Sequence, residues 1–370
     1  MSRITERKSN FELLRIAAML MIVAFHLVYH GVQGYARSAG TMGNRLFQQF
    51  LMPGGATGVA LFFMLTGYFL AGKQRASVLK VCLQVIFYGL ALSALFLIMM
   101  VIHKLFGVGY FFPFSLTTKI TLFLRHVFVP ISSGNWWFVS AYVLLVLVAP
   151  RINQFLSKLN KAGFVRLLIV TWFFWYSCQL MLNGTYVLLG RAFFFYILGA
   201  YCRLFGYSEQ EKPQVRHIAM FAFGWLLFIA SALWSISVEM TDILQIVATF
   251  LVNELQNCIS IPLCAWSLFA IFARMSIPPS RRINTVAATT FGVYLLHDSG
   301  ITKQLIWNGI LRVSDVQFLS PYFPLLALTD ILAVFAVCSA IDYLRLRFVE
   351  PKMLAWAEQR IARAKEKYFS

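Results

Sequence analysis

Charge is scarce in this 370-residue chain, and acidic charge is the scarcest: 12% of residues are charged, with 14 Asp and Glu against 32 Lys and Arg. Soluble domains carry about twice that charged fraction. With 60% hydrophobic residues there is also more apolar surface than a soluble core of this length could hide. A soluble enzyme or scaffold is therefore excluded, and the class that remains is an all-α polytopic membrane protein. The six cysteines (Cys82, Cys178, Cys202, Cys258, Cys264 and Cys338) show no metal-ligand or redox spacing and lie in or beside apolar runs, which makes them small core residues without a disulfide. There is no 20–50-residue repeat. There is also no basic low-complexity tail with interleaved aromatics, so the net charge of +18 does not indicate nucleic acid. The first apolar run is too long for a signal-peptide core, and no cleavable leader is expected.

What is present is a series of apolar stretches long enough to cross about 30 Å of hydrocarbon. They run approximately over 11–31, 54–72, 79–103, 136–152, 164–182, 186–205, 215–236, 255–273, 286–311 and 324–349, which predicts about ten transmembrane helices. The segment 286–311 is interrupted by His297, Asp298 and Gly300, and 240–253 reads as an interfacial or re-entrant piece. With the N-terminus cytoplasmic, the inside segments hold 23 Lys and Arg and the outside segments 8. That asymmetry satisfies the positive-inside rule with both termini cytoplasmic, so the net charge is mostly an insertion signal. The outside loop 104–135 is rich in Phe, Pro and Gly and is expected along the interface. The expected organisation is a transmembrane domain over 1–352 and a basic cytoplasmic amphipathic tail over 353–370 that meets the inner leaflet.

An ionisable group inside a span is expensive and is a functional-site hypothesis by default. Arg15 and His26 both lie in the first span, eleven residues apart, which on an α-helix is about 16 Å and three turns. They fall on nearly one face, one near the inner boundary and the other near mid-membrane. Arg15 can hold phosphate as a fixed cation, His26 can take a proton near neutral pH, and Glu12 can orient the guanidinium. The same residues also fit a snorkelling anchor and a helix–helix hydrogen bond.

These residues resemble the signature of the membrane acyltransferase-3 family: an arginine, ten residues and a histidine in the first span, with an acidic residue three before the arginine. Four further segments are similar to the family pattern, in the expected order. They are GVALFFMLTGYFLAG at 58–72, NWWFVSAYVLLVLVAP at 135–150, TTFGVYLLHDSG at 289–300 and FVEP at 348–351. The resemblance implies a ten-helix integral membrane O-acyltransferase of cell-surface carbohydrates in a bacterial cytoplasmic membrane. It implies His26 as base or acyl carrier and Arg15 as a contact to the donor, acetyl-CoA. Glu12 stands where the family more usually has aspartate, and the one Arg-x-x-Arg spacing is Arg360 to Arg363. Many relatives end in a soluble esterase-like domain. The resemblance therefore implies either a separate periplasmic or extracellular transferase as partner, or an acceptor that reaches the membrane site.

The remaining candidates each carry two readings. Trp136 and Trp137, with Asn135, are a sugar platform or an interfacial aromatic belt. His297 serves the site with His26 rather than with its own neighbour Asp298, because adjacent helical positions point about 100° apart. His30, one turn after His26, would make a metal pair but lacks a third ligand or a nearby acid, so no metal is expected. Tyr68, with Thr66 and Gly67, is a substrate contact or part of a small-residue packing stretch. The function expected is acetyl transfer from acetyl-CoA to a carbohydrate or lipid-linked glycan. A transporter or flippase for lipid-linked sugars is the alternative, and it would need paired broken helices in two related halves, which the sequence does not show.

Overall fold

A computed structural model describes residues 8–33, 39–107, 115–132, 136–181, 185–206, 215–237, 247, 251–252 and 255–369. Every regular element among them is helical. In chain order they are α1 (Ser9–Gly31), α2 (Met42–Leu51), α3 (Pro53–Leu70), α4 (Leu79–Phe106), α5 (Leu116–Phe128), α6 (Trp137–Leu156), α7 (Lys161–Met181), α8 (Thr185–Phe205) and α9 (Val215–Ser237). A wide π-helical turn, Leu255–Ser260, then leads into α10 (Ile261–Ala273), followed by α11 (Arg281–His297), α12 (Phe323–Leu344) and α13 (Glu350–Phe369). Seven helical stretches among the described residues are long and apolar enough to cross a membrane: Ser9–Gly31, Met42–Leu70, Leu79–Phe106, Trp137–Leu156, Val215–Trp234, Leu255–Ala273 and Phe323–Lys367. Helices α7, α8 and α11 lie where the sequence predicts three more.

Helix α1 is the hub: it packs against α3, α10, α11 and α12. Both of its ends are tied. At the N-terminal end the Ser9 hydroxyl donates to Asn284 Oδ1 (3.0 Å) and accepts from the Ser280 amide (2.8 Å), and Asn10 Nδ2 donates to the Phe272 carbonyl (3.1 Å). At the C-terminal end Asn308 Nδ2 donates to the His30 carbonyl (3.0 Å), and the Gln33 amide donates to Ser314 Oγ (3.1 Å). These bonds set the register of α1 against α11, and that register brings His26 level with His297.

Helices α3 and α8 cross at van der Waals contact of their backbones. A Cβ on Gly67 would run into the Tyr196 carbonyl, and one on Gly199 into the Met64 carbonyl. Small residues serve this purpose in lipid, where close packing rather than hydrophobic burial draws helices together. Asn153 of α6 adds a polar tie, donating to the carbonyls of Leu70 (2.6 Å) and Lys73 (3.0 Å) while accepting from the Tyr196 hydroxyl (2.8 Å). The outer faces of α4, α7 and α12 expose Leu90, Ile98, Ile169, Phe173, Leu328 and Leu332, as lipid-facing helices do.

The expected span 286–311 is a broken element. Helix α11 stops at His297, and the chain turns through Asp298–Ile301 before irregular, mainly π-helical turns over 302–317. The break is braced from α5. His126 Nδ1–H donates to the Leu122 carbonyl (2.8 Å), so its Nε2 accepts from the Ser299 hydroxyl (3.1 Å). The loop expected along the interface thus contributes a helix that supports the break, while residues 108–114 and 133–135, including Asn135, lie outside the described residues. So does nearly all of 240–253. At the other end of α12 a buried ion network joins three helices. Asp342 Oδ1 accepts from Tyr88 (2.7 Å), Gln84 (3.1 Å) and Arg345 (2.6 Å), and Arg345 reaches Glu350 (2.8 Å), which also meets Lys80 (2.5 Å). Helix α13 starts from this network and runs across the expected 352/353 boundary as one largely exposed helix.

Candidate functional site

Toward the C-terminal end of α1 lies a cavity of roughly 520 Å³, walled by α1, α3, α6, α8, α10 and α11. That volume suits a small-molecule substrate. Its walls are mostly apolar and aromatic, with Phe25, Tyr29, Trp137 and Phe138 among them. Its polar groups are His26, His30, Asp298, Tyr294, Arg191, Asn257 and Lys303. Arg191 Nη2 donates to Asn257 Oδ1 (2.9 Å).

Three of these, His26, His30 and Asp298, form a chain with the neighbouring His297 and Val293 carbonyl whose proton positions can be worked out. His297 Nδ1 lies 2.6 Å from the Val293 carbonyl, so it carries the hydrogen and His297 Nε2 is left with a lone pair. His26 Nδ1, 2.8 Å from that Nε2, must then be the donor. The consequence falls on His26 Nε2. In the neutral ring it has no hydrogen, its nearest charged neighbour is Asp298 Oδ1 at 3.7 Å, and the residue lines the cavity. His30 Nε2 donates to the same Asp298 oxygen at 3.0 Å. The site therefore presents an unprotonated imidazole nitrogen to a mostly apolar cavity, with a carboxylate beside it to stabilise a proton that arrives.

The structure brings His26, His30 and His297 together, places Trp137 in the same cavity wall, and leaves Arg15, Glu12, Tyr68 and Trp136 elsewhere. Arg15 is not in the cavity wall. It sits about three turns down α1, paired with Glu12 through Nη1 (2.9 and 3.2 Å). Tyr68 is likewise at that end, packed on Phe11 and Phe269 with the Arg203 guanidinium 5.3 Å above its ring. Arg15 and His26 thus share a helix face but occupy separate levels, and of the two only His26 lines this cavity. The reading of Trp136 is corrected. It is fully buried with its ring edge-on to His126, so it offers no open face to a sugar, whereas Trp137 does line the cavity.

Asp298 is the residue that sequence reasoning missed. Two adjacent helical positions diverge, but α11 ends at His297, and Asp298 adopts φ −106° and ψ 14°, outside the helix. The turn points both side chains at α1. The interruption of an apolar run by His-Asp-Ser-Gly was the available signal. It also removes the premise that His30 lacks an acid nearby.

A family model described as an acyltransferase domain matches residues 8–341. The chain belongs to the acyltransferase-3 family. Comparison with curated proteins and with solved structures gives no match. Membership makes the chain a multi-pass membrane acyltransferase, and the matched region contains the whole of the cavity. The acyltransferase thus carries its histidine cluster where α1 meets the break after α11.

Proposed function

We propose that this acyltransferase moves an acetyl group from cytoplasmic acetyl-CoA to a hydroxyl of a surface polysaccharide or its lipid-linked precursor. It would do so in a bacterial cytoplasmic membrane, crossed about ten times with both termini cytoplasmic. The observation that carries the reading is the cavity-facing His26 Nε2, left free of hydrogen by the bond from Nδ1 to His297.

In the direct route His26 Nε2 takes the proton of the acceptor hydroxyl as that oxygen attacks the thioester carbonyl. Asp298, 3.7 Å away, stabilises the imidazolium. When the tetrahedral intermediate collapses, the C–S bond breaks and His26 returns the proton to the departing CoA sulfur. In the two-step route the same lone pair attacks the thioester carbonyl, the C–S bond breaks and CoA leaves as its thiolate; the acceptor hydroxyl then takes the acetyl group from Nε2, the C–N bond breaks, and the hydroxyl proton neutralises the thiolate. Labelled donor offered without acceptor separates the two, since the direct route leaves no label on the protein.

The N-terminal end of α1 supports donor binding. Arg15, Arg203 and Lys8 gather there. Lys8 is held below its ordinary pKa by partial burial and, to a lesser degree, by the charge of Arg203. A polyanionic donor would relieve that repulsion. Its arm would then have to reach about 16 Å along α1 to His26. Family membership favours acyl transfer over the transporter alternative. The decisive experiment is acetyl transfer by purified protein. His26→Ala is expected to lower the rate by about 10²–10⁴-fold with the fold intact, and turnover equal to wild type would refute the assignment.

A further inference from the structure

We propose that His26, His30 and Asp298 also form a binding site for a single divalent transition-metal ion, with zinc(II) the best match. His26 and His30 stand at i and i+4 on α1, one turn apart on one face. Asp298 approaches from the turn after α11 and puts Oδ1 3.0 Å from His30 Nε2 and 3.7 Å from His26 Nε2. The three ligand atoms lie within 4.8 Å of one another. Ligands held about 2.0–2.2 Å from a tetrahedral ion are about 3.3–3.6 Å apart, so small side-chain rotations close the set once His30 Nε2 gives up its hydrogen, the proton moving to its Nδ1 or to solvent as the metal binds. Two imidazoles and one carboxylate suit zinc rather than magnesium or calcium, which prefer all-oxygen sites.

Two further features fit a metal. A ligating imidazole normally has its second nitrogen held by an outer partner. His26 has this already, since its Nδ1–H is held by His297, which is anchored on the Val293 carbonyl. Three protein ligands would also leave a coordination position open toward the cavity. Metal at this point engages the His26 nitrogen that acyl transfer uses, so zinc acts as an inhibitor. The site rests on the geometry of three side chains, and its occupancy is measurable without substrate.

The test is titration of the chelator-stripped, detergent-purified full chain with zinc in competition with a chromogenic indicator. Saturable one-to-one binding is expected, weakened at least about tenfold in His30→Gln and in Asp298→Asn, with no competition from magnesium. Absence of stoichiometric binding would overturn the proposal. So would equal binding in both variants, which would place the ion adventitiously on another histidine. Thermal unfolding of each variant checks its fold. Cobalt(II) on the wild-type chain needs no variant: a four- or five-coordinate visible spectrum is expected, and the spectrum of the hexaaquo ion overturns the site. Zinc should also inhibit acetyl transfer reversibly. Binding without inhibition would count against His26 as the reacting group and leave the metal site standing.

Discussion

At the scale of single residues, the site is a matter of which nitrogen holds which hydrogen. His297 reaches the cavity through His26, so it is a positioning residue. His297→Ala should cost about 10²-fold in kcat, the scale of a misplaced catalytic group, while KM for the donor stays near wild type. His297→Gln keeps an acceptor close to the position of Nε2 and should recover part of the loss. A merely structural role for His297 would not separate kcat from KM in this way, nor discriminate the amide from the methyl. His26 was legible from its spacing to Arg15 and from the family pattern, and His297 from its place in the late Tyr-Leu-x-His segment. Asp298 was not, because a rule valid inside a helix was applied one residue past its end.

At the scale of elements, the expected apolar runs other than 286–311 correspond closely to helices, since hydrophobic length is a direct physical requirement of the bilayer. What hydropathy does not encode is how the helices meet. The GlyxxxGly-free crossing of α3 and α8 depends on Gly67 and Gly199, each placed under a carbonyl of the other helix. Gly67→Val should force the pair apart, at about 1–3 kcal/mol, seen as a lower Tm in detergent. The Asp342 network was equally hidden, because its two halves, Lys80–Tyr88 and Asp342–Glu350, lie far apart in sequence. Asp342→Ala removes the acceptor of four hydrogen bonds, two of them from Arg345, and leaves the buried Arg345 with Glu350 as its only carboxylate partner. A loss of about 3–5 kcal/mol is expected, measured as thermal or denaturant unfolding, with His26 chemistry unchanged in the protein that remains folded. Glu350, noted in sequence only as part of a closing Glu-Pro pair, turns out to couple α13 to α4 through Lys80.

At the scale of the whole molecule, two levels of polar chemistry are stacked along one helix: a cationic level with Arg15, and the histidine level with the cavity. The proposed orientation makes the first cytoplasmic and opens the second away from the cytoplasm. Lys303→Cys in intact cells should react with a membrane-impermeant thiol reagent. Arg363→Cys should react only after permeabilisation. Reversed labelling would invert the topology and with it the side from which donor arrives. The hydrogen bonds at both ends of α1 have a mechanical corollary. A helix fastened to α10 and α11 below, and to the 305–317 turns above, is held at both ends. Under the proposed transfer, donor and acceptor would have to come to His26 where it stands, with any gating left to the surrounding helices.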